Sequence, residues 1–187
     1  KLPNAYDDIV ETRVAVEQHS RMAIANEFRT LASLRHPHII SVLDYGFDAE
    51  GAPFFTMELL PDAQPFTLGA SLRDPAVIIE HTAQLFSALG YLHRHGILHR
   101  DIKPSNVLLA RGRVKVLDFG VATHASLVHD VAGTLEYMAP ELLLGEHPSA
   151  ASDLYAVGVL LWEALTGEYP FARDSATQFL LDVLGPR

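Results

Sequence analysis

The 187 residues contain no cysteine. That excludes disulfides, thiolate metal sites and cysteine nucleophiles, and it fits a reducing compartment. Lysine is scarce too: Lys1, Lys103 and Lys115 are the only three. Fourteen Lys and Arg stand against 23 Asp and Glu, a formal net charge of −9. A broad nucleic-acid-binding face needs clustered cations to neutralise phosphates, so no nucleic acid is expected as a partner. No run of about 18 apolar residues exists, so no membrane contact is expected within this segment. The opening KLPNAYDD lacks the apolar core of a signal peptide, and a cytoplasmic setting is expected. It also lacks an initiator Met, which points to a piece of a longer protein. No G-x-S-x-G elbow occurs, which argues against a serine hydrolase. What is present is a chain of globular composition, 49% hydrophobic and of single-domain length.

Residues 1 to 20 show no clean period. From Arg21 to Arg35 the spacing of Ile24, Phe28 and Leu31 predicts a helix stopped by Pro37. Two apolar runs, Ile39 to Tyr45 and Pro53 to Leu60, are split by Asp48, Glu50 and Gly51 and predict a hairpin. Pro61 to Asp74 reads as a linker or short helix. Asp74 and Pro75 then suit an N-cap and first helical position, with Ile78, Leu85, Leu89 and Leu92 as one stripe and Gly96 as the stop. Asn106 to Ala110 and Val114 to Leu117 flank Arg111-Gly112, a second predicted hairpin. Residues 118 to 149 read as loop. Ser152 can cap an apolar helix from Asp153 to about Thr166, closed by Gly167. Strands thus dominate the first third and helices the rest, with a seam near 61 to 74. Two lobes with a cleft between them would suit a ligand.

The densest polar information lies in HRDIKPSN, residues 99 to 106, and in DFG, residues 118 to 120. Asp101 offers a proton acceptor, Lys103 a cation and Asn106 an amide oxygen. The hairpin that follows would bring Asp118 near Asn106. Two oxygen ligands with room for waters and phosphates suit Mg2+. A carboxylate, a cation and a magnesium site are the parts that phosphoryl transfer needs. His93, His95 and His99 do not follow a metal-ligand spacing.

These segments resemble the eukaryotic-like protein kinases of the Ser/Thr type. The catalytic-loop pattern H-R-D-x-K-x-x-N stands as His99 to Asn106, and D-F-G stands at Asp118 to Gly120. A-P-E is Ala139-Pro140-Glu141, inside GTLEYMAPE. SDLYAVGVLLWEALTGEYPF resembles the central helix of the large lobe, with Asp153 as the residue that holds the catalytic loop. NEFRTLASLRHPHII resembles the small-lobe regulatory helix, with Glu27 as its glutamate. Lys103 and Gly133-Thr134 are similar to the Ser/Thr class, and the wording is similar to bacterial members. The resemblance implies an α+β, two-lobed kinase-like fold with a truncated small lobe of sheet plus one helix and a mainly helical large lobe. It implies one partial domain over 1–187, with 1–60 as part of the N-lobe and 61–187 as part of the C-lobe.

The resemblance further implies ATP and Mg2+ as cofactors and a protein bearing Ser or Thr as substrate. Asp101, Lys103, Asn106 and Thr134 would be catalytic, with Asn106 and Asp118 on the metal. Lys1, Glu27, Met57, Glu58, Leu60, Lys103, Leu108 and Asp118 would meet the nucleotide, Met57 as gatekeeper and Glu58 and Leu60 through hinge backbone. Met57 is expected in the core. Leu31, Val42, His99 and Phe119 would stack as an apolar spine. Asp130 would stand where many kinases carry an activating phosphothreonine, facing Arg100. A carboxylate has less charge than a phosphate, so it would order the loop only partly.

The chain departs from the family pattern at both ends. No G-x-G-x-x-G occurs, because Gly46, Gly51 and Gly69 are the only glycines before residue 90. Lys1 is the only lysine upstream of Glu27. The string VAVE, Val14 to Glu17, mimics V-A-I-K with Glu in place of Lys, but ten residues before Glu27 leave too little room for a strand, a turn and most of a helix; only if it were that strand would the chain look like a pseudokinase. The final C-lobe helices, with the Arg that would pair with Glu141, lie beyond the chain. The rival function is therefore a pseudokinase or nucleotide-binding scaffold, and the chain alone is expected to be catalytically weak.

Overall fold

The computed structural model describes residues 32–49, 53–67, 74–117, 135–171 and 175–185. Its fold is α+β, and the described residues fall into two compact units. One comprises 32–35, 41–49 and 53–59; the other comprises 36–40 and 60 onward.

In the first unit, residues 32–35 of the helix expected over Arg21 to Arg35 are described; Ala32 and Ser33 are helical, and Leu34 and Arg35 lie past its end. Strands β1 (Val42–Phe47) and β2 (Pro53–Met57) pair antiparallel, with Val42 opposite Met57, Phe47 opposite Pro53 and a bulge between Val42 and Asp44. The pairing is shorter than the expected runs. Ile39 and Ile40 do not join it, because they are buried in the larger unit instead. Met57 is 40% exposed, not in the core. A two-stranded ribbon cannot cover both of its own faces.

In the larger unit, β3 (Gln64–Pro65), β4 (Val107–Ala110) and β5 (Arg113–Val116) form an antiparallel sheet in that order. The expected linker thus supplies a short edge strand, placed by Phe66, which is fully buried and whose N–H donates to Val107 O at 2.9 Å. Arg111 and Gly112 both have positive φ, 51° and 73°, the two-residue turn that matches strand twist. Ile39 bridges Val116 in parallel, and Val116 N donates to His38 O at 2.9 Å.

Helix α1 (Pro75–Arg94) starts as the sequence predicts, with the Asp74 side chain accepting from Ala76 N. Its stripe of Ile78, Leu85, Leu89 and Leu92 is buried. Each such side chain contributes about 2 kcal/mol on leaving water. Gln84 of α1 accepts from Val114 N at 2.8 Å, which ties the helix to β5. Helix α2 (Pro140–Leu143) interrupts the expected loop. Helix α3 (Ala150–Thr166) is capped by Ser149, not Ser152; Ser152 is the third residue of the capping box. Gly167 closes α3 at φ 76°, a left-handed position that suits glycine. Helix α4 (Ala176–Leu184) lies beyond the elements the sequence predicted.

Candidate active site

The segment from Ile97 to Asn106 leaves the end of α1 and enters β4. Both ends are pinned. Ile97 N donates to Leu92 O at 3.0 Å, and Pro104–Asn106 forms one 3-10 turn with Asn106 N bonded to Lys103 O at 3.0 Å. Between these anchors Arg100 adopts φ 67°, a conformation that L side chains avoid. Asp153, 3% exposed near the start of α3, holds it there. Its carboxylate accepts from His99 N at 2.9 Å, Arg100 N at 2.8 Å and His93 Nε2 at 2.8 Å. A buried carboxylate with three donors is well compensated, and the backbone N–H bonds offset the cost of the strained residue.

The unusual turn brings three functional groups together. Lys103 Nζ lies 3.0 Å from Asp101 Oδ2. Asn106 Nδ2 donates to the same Oδ2 at 2.8 Å and to Asp101 O at 2.9 Å. Neither side-chain bond occupies Asp101 Oδ1. Because Asn106 commits its amide N–H groups to Asp101, its oxygen Oδ1 is oriented as an acceptor; Ser105 Oγ donates to it at 3.4 Å. An amide oxygen on a buried asparagine is a hard ligand of the type divalent cations take. Leu117 N donates to Asn106 O at 2.9 Å, which sets the residue before Asp118 against Asn106.

His99 is fully buried beside this cluster and accepts from Asp101 N at 3.3 Å through Nδ1. Burial lowers its pKa to about 4, outweighing the carboxylates of Asp153 and Asp101 and a backbone hydrogen bond with Leu117, which pull the other way. The imidazole is therefore neutral, as an acceptor at Nδ1 requires.

The remaining expected residues stand as follows. Leu108 lies in β4, half-buried, opposite Pro65 and Lys115. Glu58 N donates to Ser41 O at 3.0 Å and its Oε1 accepts from Ser41 N at 3.0 Å. Leu60 is half-exposed, and its carbonyl accepts from Ala63 N at 3.4 Å. Val42 is buried in the first unit and His99 in the second. Lys1, Glu27, Leu31, Asp118, Phe119, Asp130 and Thr134 lie outside the described residues, as does VAVE.

Sequence reasoning missed three contacts. His93 joins Asp153, Tyr137 Oη donates to Glu163 Oε2, and Ser152 Oγ donates to Glu141 Oε1 at 2.8 Å. Each links residues at least 11 positions apart, so no local pattern announces it. A further thread of rings, Tyr137, Tyr169, Phe171 and Phe179, runs from the APE segment to α4 with centroids 5.7 to 6.1 Å apart. Among the described residues no helix is long and apolar enough to cross a membrane.

A model of the protein kinase domain matches residues 9–184. A probable serine/threonine-protein kinase of Streptomyces coelicolor is 42% identical over 162 residues, 80% of this chain and 24% of the relative. A probable serine/threonine-protein kinase PknB of Lactococcus lactis is 36% identical over 177 residues, 90% of this chain and 27% of the relative. The crystal structure of Rad53 1–466 in complex with AMP-PNP superposes with a TM-score of 0.72 at 29% identity, over 87% of this chain and 42% of that one. The chain thus spans about a quarter of the length of these curated relatives. With the matched model covering the HRD loop, its Asp153 anchor and the APE helix, the chain belongs to the protein kinase domain family, among bacterial-type eukaryotic-like serine/threonine kinases.

Proposed function

We propose that the complete protein transfers the γ-phosphate of ATP to a Ser or Thr hydroxyl of a protein substrate. Family membership implies ATP and a divalent cation in general; Mg2+ is the finer reading, and it would neutralise phosphate charge. The observation that carries the reading is the convergence of Lys103 Nζ and Asn106 Nδ2 on one oxygen of Asp101, at 3.0 and 2.8 Å. That arrangement orients a carboxylate whose other oxygen can accept a proton.

In this reading Asp101 orients the substrate hydroxyl and takes its proton as the oxygen forms a bond to the γ-phosphorus and the bond to the β-phosphate oxygen breaks. Lys103 turns its charge to the transferred group. Asn106 Oδ1 and Asp118 hold Mg2+, and Thr134 helps to seat the hydroxyl. Met57, Glu58, Leu60 and Leu108 take the adenine. Lys1, paired with Glu27, steadies the remaining phosphates. Residues 1–60 would be part of the N-lobe and 61–187 part of the C-lobe. A cytoplasmic setting follows from the need for ATP.

The test uses the complete protein with MgATP and a serine-bearing peptide. Asp101→Asn should lower kcat by about 10^2 to 10^4, with KM for ATP within about twofold. A parallel loss of ATP binding would give Asp101 another role. A wild-type protein that binds ATP without turnover would favour the nucleotide-binding scaffold.

A further inference from the structure

Asp153 can hold the catalytic loop only if the first turn of α3 is itself held. Ser149 Oγ accepts from Ser152 N at 3.3 Å, and Ser149 N donates back to Ser152 Oγ at 3.1 Å. A capping box of this kind usually carries Glu or Gln at its third residue. Here the third residue is serine, and it is 4% exposed. Its single hydroxyl proton goes to Glu141 Oε1 at 2.8 Å, so the 3.3 Å contact between the two hydroxyls has Ser149 as donor. A glutamate at 152 could close the box but would set a second carboxylate against Glu141. Serine can close the box and also reach sideways to another element.

The consequence is a continuous chain of contacts. It runs from Glu141 in α2 to Ser152, through one peptide bond to Asp153, and from Asp153 to the N–H groups of His99 and Arg100. Asp101 is the next residue. A small cavity of about 20 Å3, room for about one water, lies beside the chain and is lined by Arg100, Asp101, Tyr137, Ala139, Ser152 and Asp153. The APE segment, the first turn of α3 and the catalytic loop all line this cavity, and the Ser152 hydroxyl at its wall is bonded to Glu141.

We infer that Ser152 is a positioning residue for Asp101. Its bond to Glu141 sets the rotation of the first turn of α3, and Asp153 transmits that setting to the loop. The effect on turnover rests on the kinase reading above; the effect on the loop does not.

The test combines hydrogen exchange of the complete protein with kinetics on MgATP and a serine-bearing peptide. Ser152→Ala should speed amide exchange at His99 and Arg100 about fivefold to tenfold and lower kcat by a similar factor. KM for ATP should stay within about twofold, and amides of β4 and β5 should exchange as in the wild type. Ser152→Thr, which keeps the hydroxyl, should restore both readouts. Glu141→Ala should speed exchange at the same amides at least as much, and adding Ser152→Ala to it should bring no further loss, because at these amides the two act through one bond. Wild-type exchange at His99 and Arg100 in Ser152→Ala would overturn the inference. So would faster exchange spread evenly over β4 and β5, or losses that multiply in the double variant. If Ser152→Ala does not fold, Ser152→Thr and Glu141→Ala make the same comparison. A wild-type protein without phosphate transfer sinks the kinase reading alone, because the exchange pattern is still read.

Discussion

Two hairpins, similar as sequence, are built to different standards. In β4–β5, Val107, Val114 and Val116 are fully buried, the turn at Arg111-Gly112 matches strand twist, and α1 backs the sheet through Gln84. In β1–β2, Leu43 is 65% exposed, Phe54 46% and Met57 40%. The β4–β5 hairpin carries the polar cluster at its entrance: Asn106 precedes β4, and Leu117 follows β5. Side chains that must sit within a few tenths of an ångström of each other are attached to the closely packed ribbon. The expected hinge residues, which offer backbone groups, follow the looser one.

The comparison can be broken most severely at its anchor. Asp153→Ala would leave the N–H groups of His99 and Arg100 and the His93 ring without their acceptor, and would release Arg100 from φ 67°. A loss on the order of 3 kcal/mol or more is expected in urea denaturation. Asp153→Asn should recover only part, because an amide keeps one accepting oxygen. The hairpins themselves come next. Val116→Ala removes two methyl groups from a site without solvent and should cost about 2 kcal/mol. Leu43→Ser on β1 should stay within about 0.5 kcal/mol. Equal losses from the two substitutions would show that exposure does not separate the ribbons.

Much of the site was legible because its residues are close in sequence. Asp101, Lys103 and Asn106 span six positions, so one tight turn brings them together, and the motif announces that turn. The start of α1 was equally plain, since Asp74 and Pro75 state a cap in two letters. The start of α3 was misread by three residues, because Ser149 and Ser152 are both acceptable caps and only the reciprocal bond chooses between them. Ile39 and Ile40 were assigned to the wrong sheet for a related reason. An apolar run states that it is buried, not where, and Val116 lies 77 positions away from Ile39. Helix α2, four residues long, is too short to show a period. Ser152 and Glu141 matter through a contact between elements, which a local pattern does not contain.

Acid sharpens the comparison by acting on the packed unit. His99 is neutral in the folded state, with a pKa of about 4 against 6.5 when free. The unfolded chain therefore binds a proton that the native state refuses. Stability that is present above pH 6.5 is lost as the pH falls towards about 4, in total about 3 kcal/mol. His99→Phe removes this contribution, so the difference in unfolding free energy between wild type and variant should shift over that window in the variant's favour. A difference that stays constant from pH 7 to 4 would mean that His99 is protonated without penalty.

The smallest effect is expected at the junction of His36–Ile40 with α1 and β5. His36 Nδ1 accepts from His38 N at 3.2 Å, so its proton sits on Nε2, which donates to Ser87 Oγ at 3.2 Å. Its pKa is lowered, first by burial and then by the charges of His38, Arg94 and Lys115. The groups around it are therefore His38 on its own segment, Arg94 and the ring of Tyr91 on α1, and Lys115 on β5. Protonation would turn Nδ1 from acceptor to donor and add a cation among cations. The sign is that of His99: stability is present above pH 6.5 and declines below it. His36→Asn keeps an oxygen for the His38 N–H and cannot take the proton, but it is too short to hold Ser87. The variant should be less stable by up to about 1 kcal/mol at pH 7.5, and the gap should narrow at pH 5. Melting curves at the two pH values check this. A gap that is equal at both would mean that the surrounding cations do not act on His36, and the junction would then owe its hold to the buried Ile39 and Ile40 alone.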